Sequence, residues 1–353
     1  MKLIHTADLH LGSRMESKFP PDKAKRRRVE LRDSFARMID RAKELGAEMI
    51  LIAGDAFDSD PATPADRAFF FDAVAANPDL TFLYLRGNHD ATVAPTADVP
   101  NLVAFGDAWT VYQKDGVAIS GIEMTGENCA SLYDDFSPAP GMVNIAVLHG
   151  RIGSSPAPNT VVLSRLADRG IDYLALGDYH ARQDGKLDAR GVWAYPGCPE
   201  GRGFDEPGEK GFLLLTVENG SVTTEFIPHA CRTLYEIDCD ISFADGTVGA
   251  TEIAREAIRE IPDKDPIRLN LVGAVKFDRT NLAADMEMRL GGKRFFVSVK
   301  DRTTAALDYE TIRGELSLRG EYLRLLYGKD LPAGETDAIL SLGLRALSGQ
   351  SIE

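Results

Sequence analysis

Five short segments of this 353-residue chain carry residues able to bind metal ions: Asp8-Leu9-His10, Gly54-Asp55, Gly87-Asn88-His89-Asp90, His149-Gly150 and Gly177-Asp178-Tyr179-His180. The chain has six histidines, and four of them fall inside these segments, which argues against chance scatter. Carboxylates, imidazoles and one amide form a donor set suited to Mn²⁺, Fe²⁺ or Zn²⁺. Two such ions about 3.5–4 Å apart can clamp a phosphodiester, activate a water and hold charge on the attacking and leaving oxygens. That chemistry needs one carboxylate touching both ions and separate ligands for each. Asp8 and His10 are two apart, so on an extended strand end both can point the same way. Asp55 suits the bridging role, Asn88 offers a neutral oxygen, and His149, Asp178 and His180 complete the set. His89 is then left without an ion. It can protonate a leaving oxygen or stabilise the phosphoryl charge, with Asp90 to hold its ring.

Each segment follows an apolar run: Leu3 to Ala7, Met49 to Ala53, Phe82 to Leu85, Ile145 to Leu148 and Tyr173 to Leu176. These are short, apolar and stopped by Gly or a polar residue, the pattern of buried strands. In layered α/β folds ligands bind where such strands end, so five ends can meet at one crevice. Leu31, Phe35, Met38, Ile39, Ala42 and Leu45 recur at helical spacing before Gly46, and a second helix is expected around Ala65 to Ala76. Asp115-Gly116 and Asn219-Gly220 read as hairpin turns. The pattern predicts an α/β fold with a mixed sheet, or two packed sheets, covered by helices.

The segment Gly197 to Gly211 is rich in Gly, Pro and charge and reads as a loop beside the site, with Arg202 as the residue for a substrate phosphate. From Arg232 a small strand–helix alternation begins, and apolar helical spacing resumes after Ala305. The expected domains are 1–230, a small α+β unit over 231–302, and a helical C-terminal segment over 303–353.

A hydrophobic content of 44% and a charged content of 27% describe a globular chain, and no apolar run approaches the roughly 18 residues of a membrane helix. No signal-peptide pattern opens the chain, and Cys129, Cys198, Cys231 and Cys239 show no zinc or redox spacing, so a reducing cytoplasm is the expected compartment. The formal net charge of −14 opposes unaided DNA binding, which draws most of its affinity from neutralised phosphates. The one dense basic run, Lys23 to Arg28, is a candidate phosphate contact.

The motif set resembles the calcineurin-like metallophosphoesterase superfamily. Within it, His5-Thr6-Ala7-Asp8-Leu9-His10-Leu11-Gly12, Gly54-Asp55-Ala56-Phe57-Asp58, Tyr195-Pro196-Gly197 and Lys210-Gly211-Phe212 are similar to SbcD-type DNA repair exonucleases. The resemblance covers roughly residues 1–230. It implies a metallophosphoesterase β-sandwich flanked by helices, with 231–302 as a cap. It also implies two divalent ions, Mn²⁺ first among them with Mg²⁺, Fe²⁺ and Zn²⁺ as alternatives. Asp8, His10, Asp55 and His180 would hold one ion, and Asp55, Asn88, His149 and Asp178 the other. DNA, an SbcC-like coiled-coil ATPase and a second copy of the chain are the implied partners. One departure stands out: the family's last motif is Gly-His-x-His, and this chain has Asp178 at the first His. A carboxylate there is harder and negative, favouring Mn²⁺ or Mg²⁺. The rival reading is a phosphoesterase acting alone on nucleotides or other small phosphodiesters.

Overall fold

The computed structural model describes every residue except 59–61, 91–98, 327–328, 330–335 and 348–353. It divides into two units, Met1–Tyr235 with Lys264–Pro266, and Glu236–Asp263 with Ile267–Glu353. In chain order the first holds β1 (Lys2–Thr6), α1 (Pro21–Glu44), β2 (Met49–Ala53), α2 (Pro64–Ala75), β3 (Thr81–Leu85), β4 (Leu102–Ala104), β5 (Thr110–Lys114) and β6 (Val117–Gly121). There follow α3 (Leu132–Asp135), β7 (Val143–His149), β8 (Arg151–Ile152), β9 (Thr160–Val161), α4 (Leu163–Leu166) and β10 (Tyr173–Gly177). Last come β11 (Gln183–Lys186), β12 (Val192–Tyr195), β13 (Gly211–Glu218) and β14 (Ser221–Pro228).

The strands form two six-stranded sheets, ordered β14-β13-β1-β2-β3-β4 and β11-β12-β10-β7-β6-β5. Both are mixed: β1 to β4 run parallel, as do β6, β7, β10 and β12, with antiparallel strands at the edges. Of the two sheet arrangements the sequence allows, the chain adopts two packed sheets. Leu3, Leu51 and Leu83 from the first sheet meet Ile145, Val147 and Ala175 from the second in one buried cluster. Burying each leucine, isoleucine or valine stabilises the fold by about 1.5–3 kcal/mol. The outer face of the second sheet is covered by a second cluster that includes Leu148, Leu174, Leu176, Tyr133 and Phe136. With both faces covered, β2, β7 and β10 are buried throughout, so they read as continuous apolar runs.

This burial also fixes register, since a one-residue slip would turn every core side chain outward. The register brings the strand ends level: Ala53 pairs with Leu85, and Gly177 with His149. His5, outside the motifs, bridges the sandwich through a 2.9 Å hydrogen bond between its Nδ1 and the Tyr173 hydroxyl. Burial lowers its pKa to about 3, so it stays neutral. The expected turns form at Asp115-Gly116 and Asn219-Gly220, each with both φ angles positive.

α1 starts well before the apolar periodicity at Leu31, with a proline in its first turn. Its opening turns hold the basic run, and this run is largely spoken for. Arg27 is fully buried, donating to Glu30 at 2.6 Å, Glu200 at 2.8 Å and the Gly201 carbonyl at 2.6 Å. Arg28 pairs with Glu16 at 2.8 Å and Arg26 with Glu30 at 3.1 Å. The run therefore anchors α1 to the 197–211 loop as well as facing solvent.

The second unit contains all but the first residue of β15 (Tyr235–Asp240), then α5 (Thr247–Ala257), β16 (Ile267–Val272), β17 (Ala274–Val275), α6 (Leu282–Gly291), β18 (Val297–Asp301) and β19 (Thr304–Ala305). Its three-stranded sheet has the order β15-β16-β18, with β16 and β18 parallel across α6. Helices α7 (Tyr309–Gly314), α8 (Leu318–Leu326) and α9 (Thr336–Leu347) pack on Ile312, Leu323, Leu340 and Leu344. Among the described residues no helix is long and apolar enough to cross a membrane.

Candidate metal centre

The chain past β1 follows the chain past β2. The Asp8 N–H donates to the Gly54 carbonyl at 3.0 Å, His10 to Asp55 at 3.0 Å and Leu11 to Ala56 at 2.9 Å. This stretch is not the extended segment that the two-residue spacing predicts. Asp8, His10 and Asp55 have φ of 56°, 45° and 52°, and Asp178 has 91°. Left-handed non-glycine residues cost about 1–3 kcal/mol each and gather where function demands them. The strand ends curl, and the curl turns Asp8 and His10 to the same side. Close approach also explains two glycines: a Cβ at Gly54 would run into the His149 ring, and one at Gly87 into the Asp55 carboxylate.

All seven residues expected to be ligands gather at these ends. Asp8, His10, Asp55 and His149 form a floor no more than 2% exposed. Asn88 is exposed, and Asp178 and His180 are half-buried, so the rim is open to a substrate. The Nε2 atoms of His10 and His180 lie 3.2 Å apart, with Asp8 Oδ1 3.8 Å from His180. On the other side His149 Nε2 faces Asn88 Oδ1 at 3.2 Å, Asp55 Oδ2 at 3.4 Å and Asp178 Oδ1 at 3.8 Å. Ligand atoms lie within 4.8 Å of one another in an Asp8–His10–His180 group and an Asp8–Asp55–His149 group. The two groups share Asp8. Yet Asp55 Oδ2 also reaches His10 Nε2 at 3.8 Å, so it stands between one histidine of each group.

Hydrogen bonds decide which ring nitrogens are bare. His149 Nδ1 donates to the Ala53 carbonyl at 2.9 Å, and His180 Nδ1 to Glu206 at 2.8 Å. His10 Nδ1 faces Asp58 Oδ1 at 3.3 Å. The Nε2 atoms of His149 and His180 therefore present lone pairs, which face carboxylates and the His10 Nε2 across the crevice. With protein groups alone, the conflict is relieved by protonation. Burial works to lower the His149 pKa, but the Asp55 carboxylate raises it to about 10. Burial raises that of Asp8 to about 7. A divalent cation supplies the missing positive charge without a proton, so the residues present fit metal ions.

His89 is exposed, its ring set edge-on to His10 at 5.0 Å, and its Nδ1 donates to the Asp58 carbonyl at 3.0 Å. Asp90 is not beside that ring. It is fully buried and accepts hydrogen bonds from the Tyr84 hydroxyl at 2.7 Å, Ala56 N–H at 2.8 Å and Gly87 N–H at 2.5 Å. Asp90 thus ties down the loops carrying Asp55 and Asn88 through these donors. Asp58, His10 and His89 also cluster, but the Asp58 oxygen facing His10 accepts from Arg202 at 2.5 Å, which makes it an orienting group.

Arg202 is also placed differently from the sequence expectation. It is only 9% exposed, and each guanidinium nitrogen has a protein partner. Nη1 holds Asp58, while Nε and Nη2 hold Glu206 at 3.1 and 2.7 Å. Nη2 also lies 3.2 Å from His180 Nδ1, but the Glu206 oxygen is closer to both. The arginine fixes the two carboxylates that face His10 and His180. Asp58 and Glu206 were missed as site residues from sequence. Asp58 was visible as the last residue of the Gly54 to Asp58 motif, whereas Glu206 carried no signal in its charged loop. Glu206→Gln should lower affinity for any ion that His180 holds by about 10–100-fold, the usual worth of such an outer partner. Mn²⁺ titration checks this, and equal affinities would remove Glu206 from the orienting role.

Residues 1–182 match the model of the calcineurin-like phosphoesterases. The chain belongs to the calcineurin-like phosphoesterase family. The family is one of phosphoesterases, and residue groups at this centre suit divalent metals. The chain is similar to the uncharacterized metallophosphoesterase YhaO of Bacillus subtilis, 30% identical over 64% of the chain and 60% of that relative. It is also similar to the DNA double-strand break repair protein Mre11 of Methanopyrus kandleri, 24% identical over 64% of the chain and 56% of the relative. The protein of the same name from Halobacterium salinarum is 25% identical over 72% of the chain and 67% of the relative. The chain thus spans under two thirds of the length of the first two relatives.

Proposed function

We propose that this phosphoesterase is a two-metal DNA phosphodiesterase of the SbcD type, working with a coiled-coil ATPase. The observation that carries the metal reading is the pair of bare-nitrogen clusters facing one another across Asp55. The similarity to two Mre11 proteins supports DNA as the substrate. Asp8, His10, Asp55 and His180 would hold one ion, and Asp55, Asn88, His149 and Asp178 the other. Ions so held would supply Lewis-acid polarisation of the phosphoryl group and an activated water. Three carboxylates in the set favour Mn²⁺. His89, anchored through Nδ1, has Nε2 left to donate a proton to the leaving oxygen. Under this reading 1–230 is the nuclease domain, 231–302 a cap and 303–353 a helical C-terminal segment.

One observation favours the rival, a phosphoesterase that acts alone on small phosphodiesters. The net charge is −14, and Arg26, Arg27 and Arg28 all have carboxylate partners. The lone chain should accordingly bind duplex weakly, with a shallow salt slope of about −0.9 per phosphate contact. The slope should steepen when the ATPase is added. Replacing Lys25, Arg26 and Arg28 with Ala should flatten it for the lone chain. The deciding experiment is Mn²⁺-dependent digestion of end-labelled duplex and single-stranded DNA, with and without the ATPase. No DNA cleavage in either case, beside brisk hydrolysis of a small phosphodiester, would transfer the assignment to the rival.

A further inference from the structure

Asp178 divides its carboxylate between two neighbours. Oδ1 faces His149 Nε2 at 3.8 Å, while Oδ2 accepts from Arg151 Nε at 3.1 Å. Arg151 sits on β8, immediately past His149-Gly150, and its backbone is pinned: its N–H donates to the Asn159 carbonyl at 2.9 Å, and the Gly150 N–H to Gly177 at 3.1 Å. The side chain is nevertheless 74% exposed. With Nε on Asp178, no protein partner is recorded for its two terminal nitrogens among the described residues. An exposed ion pair adds little to stability, so folding alone does not explain the pair. The chemistry of position 178 does. A carboxylate in place of an imidazole leaves the centre one unit of positive charge poorer toward an anionic substrate. Arg151 supplies that unit at the same carboxylate, on a side chain whose planar fork matches phosphate oxygens.

We propose that Arg151 is a phosphate-binding residue of this centre, aimed by Asp178 so that its terminal nitrogens meet the non-bridging oxygens of the bound phosphodiester. The proposal rests on the two-metal phosphodiesterase reading. Within it, Arg151 and Asp178 act as a unit: the carboxylate holds an ion with one oxygen and positions the arginine with the other.

The test compares wild type, Arg151→Gln, Arg151→Lys, Asp178→His and the Arg151→Gln/Asp178→His double variant. Bound Mn²⁺ is counted, binding of inorganic phosphate to the Mn²⁺-loaded chain is measured by calorimetry, and kcat and KM are separated on a small phosphodiester. Arg151→Gln should retain both ions, weaken phosphate binding about tenfold and raise KM more than it lowers kcat, in line with loss of a charge-assisted hydrogen bond. Lysine should recover part of the loss, and in the Asp178→His background the penalty should shrink to a few-fold. Unchanged phosphate binding and KM, with Mn²⁺ affinity altered, would overturn the proposal and make Arg151 a counter-ion only. A wild-type chain that binds fewer than two ions, or hydrolyses no phosphodiester, would defeat the functional reading itself and this proposal with it. Arg165→Gln, which breaks an exposed pair with Asp134, serves as the control that should change nothing.

Discussion

Asp55→Asn should leave a chain that keeps neither ion firmly and hydrolyses phosphodiesters roughly 10⁴-fold more slowly or worse, the scale on which groups acting as a unit fail together. Its Oδ2 lies 3.4 Å from His149 Nε2 and 3.8 Å from His10 Nε2, so one atom serves both halves of the centre. Burial would raise its pKa, yet the His149 hydrogen bond and charge hold it well below the usual carboxylate range, so it remains the charged partner. An amide keeps the volume and removes the charge. The Asp55 Oδ1 also accepts the His89 N–H at 2.9 Å, so the loop bearing Asn88 and His89 would loosen as well. Metal analysis is the check, and two ions still bound per chain would contradict the bridging role.

His89→Ala should behave in the opposite way, keeping its metal and losing about 10²–10⁴-fold in rate, the usual worth of a general acid. The ring makes edge contact with His10 and is anchored by one carbonyl, so its removal leaves the Nε2 clusters untouched. The expected signature is full Mn²⁺ stoichiometry, normal duplex binding and slow turnover. A substrate whose leaving group departs without a proton should be cleaved nearly as fast by the variant as by wild type. Metal lost in parallel with activity would place His89 among the ligands instead.

What the chain disclosed beforehand follows from physics that is local in sequence. Strands β1, β2, β3, β7 and β10 were legible because burial on both faces leaves continuous apolar runs, and the ligands were legible because they follow those runs directly. The two turns were written in Asp115-Gly116 and Asn219-Gly220. Interactions between distant segments were not legible. Arg202 meets Asp58, 144 positions away, and Arg27 meets Glu200, 173 away, and no local pattern marks either pair. Charge was the misleading cue in both regions. A basic run normally means a solvated face, and a Gly- and charge-rich loop normally lies on the surface. Here Arg27, Glu200, Arg202, Glu206 and Lys210 are buried because they neutralise one another or orient the site. The left-handed turns at Asp8 and His10 were hidden for a related reason: aspartate and histidine tolerate that conformation without announcing it.

The division of ligands between the sheets has a mechanical consequence. Asp8, His10, Asp55 and Asn88 extend from one sheet, and His149, Asp178 and His180 from the other, so each ion held as proposed would grip both. Such ions would act as rivets through the sandwich. The span from His10 to His180 covers 170 positions, so their side of the centre exists only when both sheets are in place. Ligand bound only by the folded state at a hundred times its Kd stabilises by about 2.7 kcal/mol per site, a large share of a typical domain's margin. Metal supply would then set how much of the chain persists folded as well as how fast it works. A ligand variant would lose abundance and activity together.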